Sequence, residues 1–177
     1  MRSCRSPSAA AGWALVLIGA CTPAMDWREL TLDDTGVSAM LPCKPSIYER
    51  KVQLAGSAFT MTLRACSTNQ ATWAVGYATL QDPSMVQPVL RALSAAAASN
   101  VGVPVPSDAR SWSPRGATSG DASVRWRADG HLPDGRAVGS RTAVFARGLH
   151  VFQATAIGRS LSDDDADTFF EGLRVPA

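Results

Sequence analysis

From Ala9 to Ala20 the chain is apolar or glycine at all twelve positions; beyond that, apolar and polar residues alternate in short stretches. The alternation has the two-residue period of half-buried strands in several places. Trp27 to Leu32 and Val37 to Leu41 read as strands around the turn cluster Asp33-Asp34-Thr35-Gly36. Ile47 to Ala55 and Ala58 to Cys66 read as a hairpin around Gly56-Ser57, with glycine first as a type II′ turn wants. That register sets Leu54 opposite Phe59, Val52 opposite Met61, Tyr48 opposite Ala65 and Glu49 opposite Arg64, and it turns Cys66 toward Ile47. Thr72 to Leu80 is a further strand, with Trp73, Val75 and Tyr77 on one face.

The period then changes. Val86, Val89, Leu90, Leu93 and Ala97 form a helical stripe, with Ser84 and Gln87 at capping-box spacing and Asn100 as the stop. Residues 100–120 are rich in Pro, Gly and Ser and predict a long loop that carries Trp112. Strands return at Asp121 to Ala128, Ala137 to Arg147 and Leu149 to Ile157. The turn-rich tip DGHLPDG, with His131, separates the first two, and the last two pair around Arg147-Gly148. In that pairing Val138, Val144, Leu149, Val151 and Ile157 share one face, Phe145 and Phe152 share the other, and His150 falls opposite Phe145. A sheet apolar on both faces requires cover on both sides. A final helix starts at Ser162, buries Phe169 and Phe170 and ends at Gly172, with Leu173 to Val175 as a last short strand. These elements predict one α+β domain over 27–177: an antiparallel sheet of hairpins packed against two main helices.

The twelve-residue apolar stretch follows Arg2 and Arg5 and precedes Ile18-Gly19-Ala20-Cys21. It is too short to span a bilayer and has the form of a signal peptide. The tetrapeptide resembles a bacterial lipobox, in which small residues admit the chain to the peptidase and the cysteine thiol accepts the lipid. Residues 1–20 are therefore expected to be removed, Cys21 to be lipidated, and 21–26 to form a short tether. Thr22 follows Cys21, a pattern that in enteric bacteria favours the outer membrane over the inner. The expected location is the cell envelope, lipid-anchored and facing the periplasm.

Cleavage changes the charge. The whole chain carries 17 basic and 15 acidic residues. Loss of Arg2 and Arg5 brings the mature chain to neutrality, so nothing points to nucleic acid. Cleavage and lipidation also leave Cys43 and Cys66 as the free thiols, and an oxidising compartment favours their pairing as a disulfide. The hairpin register brings Cys66 near the bend at Pro42 and Pro45.

Asp163, Asp164 and Asp165, with Asp167, lack the alternating oxygen ligands of a calcium loop and suit a helix N-terminus, where carboxylates meet the positive dipole end. His131 and His150 stand without a nucleophile elbow, and no glycine-rich phosphate loop opens a helix. The chain thus implies no catalytic residue, no metal and no cofactor. The competing class, an envelope hydrolase, would rest on His150 or the Asp163 cluster. One bias remains: arginine outnumbers lysine 15 to 2, and Arg125, Arg127, Arg136, Arg141 and Arg147 crowd the last hairpins around Trp126. Guanidinium groups on one strand face bind anionic groups bidentately. Trp112, Arg125, Arg127 and Arg141 are the candidate interaction surface, for an envelope protein or an anionic lipid; the competing reading is a solvated face in a chain that uses Arg in place of Lys.

Trp27, the segment Gly36-Val37-Ser38-Ala39-Met40-Leu41-Pro42, and the terminal Phe169-Phe170-Glu171-Gly172-Leu173-Arg174-Val175 resemble small bacterial lipoproteins of the PsbP-like fold. The resemblance spans most of 27–176. It implies an antiparallel sheet with helices against it and a non-enzymatic accessory or binding role, with the membrane reached through the N-terminal lipid. It carries over no site residue.

Overall fold

A computed structural model describes residues 25–68 and 71–175. The signal segment and Cys21 lie outside the described residues. The architecture is α+β and three layers deep. Its centre is a seven-stranded antiparallel sheet built from β3 (Ser46–Leu54), β4 (Ser57–Ser67), β5 (Ala71–Thr79), β6 (Arg110–Ser111), β7 (Val124–His131), β8 (Ala137–Arg147) and β9 (His150–Gly158). The spatial order is β3-β4-β5-β9-β8-β7-β6. A second sheet pairs β1 (Arg28–Thr31) with β2 (Ser38–Leu41), and the helices are α1 (Val86–Ser99) and α2 (Asp163–Glu171).

Both faces of the large sheet are apolar, and each has its own cover. On one side Val86, Val89, Leu90 and Leu93 of α1 pack on Ala78, Val144, Ala146 and Val151. Farther along that helix Ala97 and Ala98, too small to hold it off the sheet, pack with Trp126. The Trp126 indole N–H donates to the buried Ser94 hydroxyl at 2.9 Å, which satisfies both groups without water. On the other side Phe169 and Phe170 of α2, with Leu32, Val37, Ala39 and Leu41 of the small sheet and its connecting turn, cover Trp73, Val75, Phe145 and Phe152. Phe145 and Phe152 stack with centroids 4.7 Å apart, in direct register across β8 and β9.

A two-stranded sheet is marginal by itself, and this one is fastened at three points. Arg174 exchanges backbone hydrogen bonds with Ser38, both at 2.9 Å. The turn Asp33–Gly36 is held from the large sheet: Arg64 Nη2 donates to Asp33 Oδ1 at 2.6 Å, the Tyr77 hydroxyl donates to Asp33 Oδ2, and Arg147 Nη1 donates to the Thr35 carbonyl at 2.7 Å. Gly36 has φ of 65°, and a Cβ there would stand 2.2 Å from that same guanidinium nitrogen, so only glycine lets Arg147 through. Finally, Cys43, just beyond β2, is joined to Cys66 of β4 by a disulfide.

Several local expectations are corrected. The first long hairpin turns on Ala55-Gly56, with φ of 50° and 80°, a left-handed pair as in a type I′ turn, and not on Gly56-Ser57. Its register is therefore Leu54 with Ser57, Val52 with Phe59, Tyr48 with Leu63 and Glu49 with Thr62. The Glu49–Arg64 pair does not form, because this register sets Ile47 opposite Arg64, which bonds to Asp33 instead; Cys66 pairs with Trp73 on β5. Ser84 does not cap α1: Asp82 caps the preceding 3-10 turn by accepting from Ser84 N at 2.8 Å. Gln87 instead reaches the chain beyond the long loop and accepts from Ala122 N. Strand β7 begins three residues later than expected and runs through His131, which is the last residue of the strand and not part of the tip. The β8–β9 turn is Gly148-Leu149, so His150 faces Arg147, not Phe145. The last segment contributes a single bridge at Arg174 in place of a strand.

Two predictions follow from these fastenings. Replacing Cys43 and Cys66 by serine should lower unfolding free energy by about 3 kcal/mol, the loop-closure value for the 23-residue separation. Equal denaturant midpoints for the oxidised protein and the double variant would refute it. Burial pushes the Tyr77 phenol above its ordinary value, with help from its hydrogen bond to Asp33 and against the pull of Arg64. The folded state thus favours the protonated phenol, and this part of the stability is present below pH of about 10 and is lost as pH rises through the higher folded value. The chain has two tyrosines. In a Tyr48→Phe variant, absorbance titration of Tyr77 should therefore give a midpoint above about 10; a midpoint at or below that value contradicts the clamp.

Candidate functional site

The cover on the α2 side does not reach the β6 edge of the sheet. α2 is nine residues long, and beyond its outer flank β6, β7 and the Arg141 part of β8 line an open face. The result is a groove of about 470 Å³. Its lining includes Trp112, Arg110, Arg125, Arg127 and Arg141, with the carboxylates of Asp108, Asp163 and Asp167.

The strand register explains why the arginines meet. Arg110 on β6 is directly opposite Arg125 on β7, and Arg127 on β7 is directly opposite Arg141 on β8. Arg125 and Arg127 are two residues apart, so all four Cβ atoms leave the same face. The intervening Trp126 points to the α1 side. Trp112 follows the two-residue β6 and is half-buried, edge-on to Phe145 and Phe170 with centroids 6.1 and 5.9 Å away. Its backbone N–H donates to the Ser123 carbonyl, which fixes the loop against β7.

α2 supplies the counter-charge. Ser162 caps it by accepting from Asp165 N at 3.3 Å. Asp163 and Asp167, four residues apart, fall on one helix face. Asp163 Oδ1 lies 3.1 Å from Arg141 Nη2, and its Oδ2 lies 3.8 Å from Arg127 Nη1. Asp167 Oδ1 lies 2.5 Å from Arg125 Nη2. The Arg125 guanidinium also stands 4.2 Å over the Phe170 ring, a cation–π contact. Among the described residues Arg110 has no carboxylate within 4 Å. Arg127 has only the long contact, and its side chain is 69% exposed.

All four residues expected at an interaction surface, Trp112, Arg125, Arg127 and Arg141, thus line one groove. The other crowded arginines go elsewhere: Arg136 pairs with Asp134 in the tip turn, and Arg147 holds Thr35. Sequence reasoning missed Arg110 and Asp108, which sit in an irregular stretch with no period to place them. It gave Asp163 a helix-dipole role, or a place in the competing hydrolase, but not that of a counter-ion to the arginines, although the spacing to Asp167 was a usable sign of a shared face. His150 lies outside the groove, with Nδ1 2.9 Å from the Thr79 hydroxyl. A second groove of about 440 Å³ lies between the α1 exit and the end of β7, near His131 and Arg159. A Cβ on Gly130 there would meet the Val101 carbonyl at 2.0 Å, so glycine permits the close approach. Among the described residues no group of three or more His, Cys, Asp or Glu gathers as a metal site would, and no helix is long and apolar enough to cross a membrane.

Comparison with protein-family models, curated proteins and solved structures found no match to this chain.

The groove's shape should depend on packing far more than on its ion pairs. Phe170→Ala should cost roughly 3–5 kcal/mol as a buried aromatic truncation. Arg125→Gln should cost less than about 1 kcal/mol, because its partner Asp167 is more than half exposed. Chemical denaturation of both variants measures this, and a reversed order would show that electrostatics sets the position of α2.

Proposed function

We propose that the protein is a bacterial envelope lipoprotein, anchored by acyl chains on Cys21 and facing the periplasm, that works by binding and not by catalysis. The observation that carries the binding role is the groove beside α2. Four guanidiniums from three strands converge there with an aromatic wall, and two of the four have hydrogen-bonding capacity to spare. Such an arrangement recognises anionic groups by geometry and charge.

The anchoring rests on the lipobox-like Ile18-Gly19-Ala20-Cys21 after a twelve-residue apolar run. The Cys43–Cys66 disulfide accords with an oxidising compartment. Each buried methylene of an acyl chain contributes about 0.8 kcal/mol, so several chains hold a protein at a membrane without a spanning helix. The resemblance to PsbP-like lipoproteins supports the same accessory role.

Cys21→Ala should abolish membrane sedimentation, and globomycin should accumulate the precursor with residues 1–20 attached. Full membrane retention of the Cys21→Ala protein would defeat the anchoring. For the groove, a photocrosslinker at position 112 should capture an envelope component in wild type and lose it in Arg127→Glu. Capture unchanged by that substitution would place binding elsewhere.

A further inference from the structure

We propose that the groove is a phosphate site, with the phosphate group held between Arg110 and Arg127. The inference deepens the binding role and rests on the groove being the binding surface.

Directly opposed like charges destabilise an antiparallel ladder. Here two such pairs, Arg110 with Arg125 and Arg127 with Arg141, stand in neighbouring register on one face. They are compatible with a folded sheet because α2 places carboxylates among them. Asp163 lies between Arg127 and Arg141, and Asp167 serves Arg125. The compensation is incomplete. Four guanidiniums face three carboxylates, and the shortfall falls on Arg110, with no carboxylate within 4 Å among the described residues, and on Arg127, with one at 3.8 Å. These two residues occupy diagonal positions across β6 and β7, within reach of one ligand between long side chains.

The ligand chemistry follows from the donors. Each guanidinium presents five N–H groups in a planar fork. A carboxylate fills one fork, and the groove already contains three of its own. A phosphate has oxygens on several sides and accepts from two forks at once. Trp112 adds an apolar wall for the carbon skeleton that bears the phosphate. Asp163 then acts as a resident competitor: it occupies Arg127 weakly when the groove is empty and yields that guanidinium to a stronger anion.

The test is calorimetric titration of the mature lipoprotein in detergent, at low salt, with three soluble probes. Inorganic phosphate and glycerol 3-phosphate represent a free phosphate or a monoester; glycerophosphoglycerol represents a phospholipid headgroup. Saturable binding is expected, with acetate at equal concentration failing to displace it. Preference for the first two identifies a soluble ligand, and equal or tighter binding of the diester identifies a lipid headgroup. Arg110→Gln and Arg127→Gln should each weaken binding roughly tenfold or more, with thermal midpoints not lowered, because both residues are exposed and each faces another arginine. Asp163→Asn should tighten it about two- to fivefold, the range of an exposed ion pair; a purely structural Asp163 would not do so. The assignment is overturned if none of the probes binds, if binding survives both arginine variants, or if Asp163→Asn weakens it. Should Arg127→Glu still lose the crosslink from position 112 while no phosphate probe binds, the groove remains the binding surface and the phosphate assignment alone falls.

Discussion

Burial of both faces of one antiparallel sheet is the constraint from which the rest of this structure follows. Phe145 and Phe152 occupy one face of β8 and β9, Val144 and Val151 the other, and all four are excluded from water. Leaving either set exposed would forfeit roughly 1.5–3 kcal/mol for each large side chain. One helix suffices on the α1 side, because alanines at its C-terminal half bring it close to the sheet. The opposite side needs two pieces of cover, α2 and the small β1–β2 sheet, and neither is stable alone. The polar clamps at Asp33 and Thr35 and the disulfide at Cys43 therefore belong to the packing problem: they hold a weak element over an apolar surface.

The same constraint creates the groove. Cover is complete over β5, β9 and the inner part of β8, where side chains facing α2 are apolar. It ends near β7, and the residues on that face change from phenylalanine and alanine to arginine within one strand spacing. Phe170 marks the boundary, buried against the core on one side and under the Arg125 guanidinium on the other. α2 is thus both a lid on the core and the wall of a polar cleft. Its acidic first turn complements the helix dipole, while Asp163 and Asp167 extend into the cleft as counter-ions.

Much of this was legible from residue order. The two-residue period located eight of the nine strands, and the stripe from Val86 to Ala97 located α1; together they were enough to give the class. The local details that failed share a cause: a longer-range contact displaced a local preference. Glu49 and Arg64 would form a good cross-strand pair, but the turn at Ala55-Gly56 sets Ile47 opposite Arg64, whose guanidinium reaches Asp33, 31 residues earlier. Gln87 has the spacing of a capping box, yet Ala122 N claims its side chain. Ala55 adopts φ of 50°, a conformation alanine disfavours, because the strands on either side fix a two-residue turn there. The arginine crowding was visible too, but not its order. Which of the crowded guanidiniums share a groove depends on strand register and on where a nine-residue helix stops.

That dependence bears on how the groove can act. Its walls are set by the packing of Phe145, Phe170 and Trp112, while the side chains of Arg127, Asp163 and Asp167 are more than half exposed to water. An anion entering such a site would exchange partners with these exposed carboxylates, and its selectivity would depend on how many forks it fills compared with Asp163 and Asp167. A monovalent carboxylate gains little over the groups already present. An anion that bridges Arg110 and Arg127 gains contacts that the protein's own carboxylates do not make, because neither Asp163 nor Asp167 reaches Arg110.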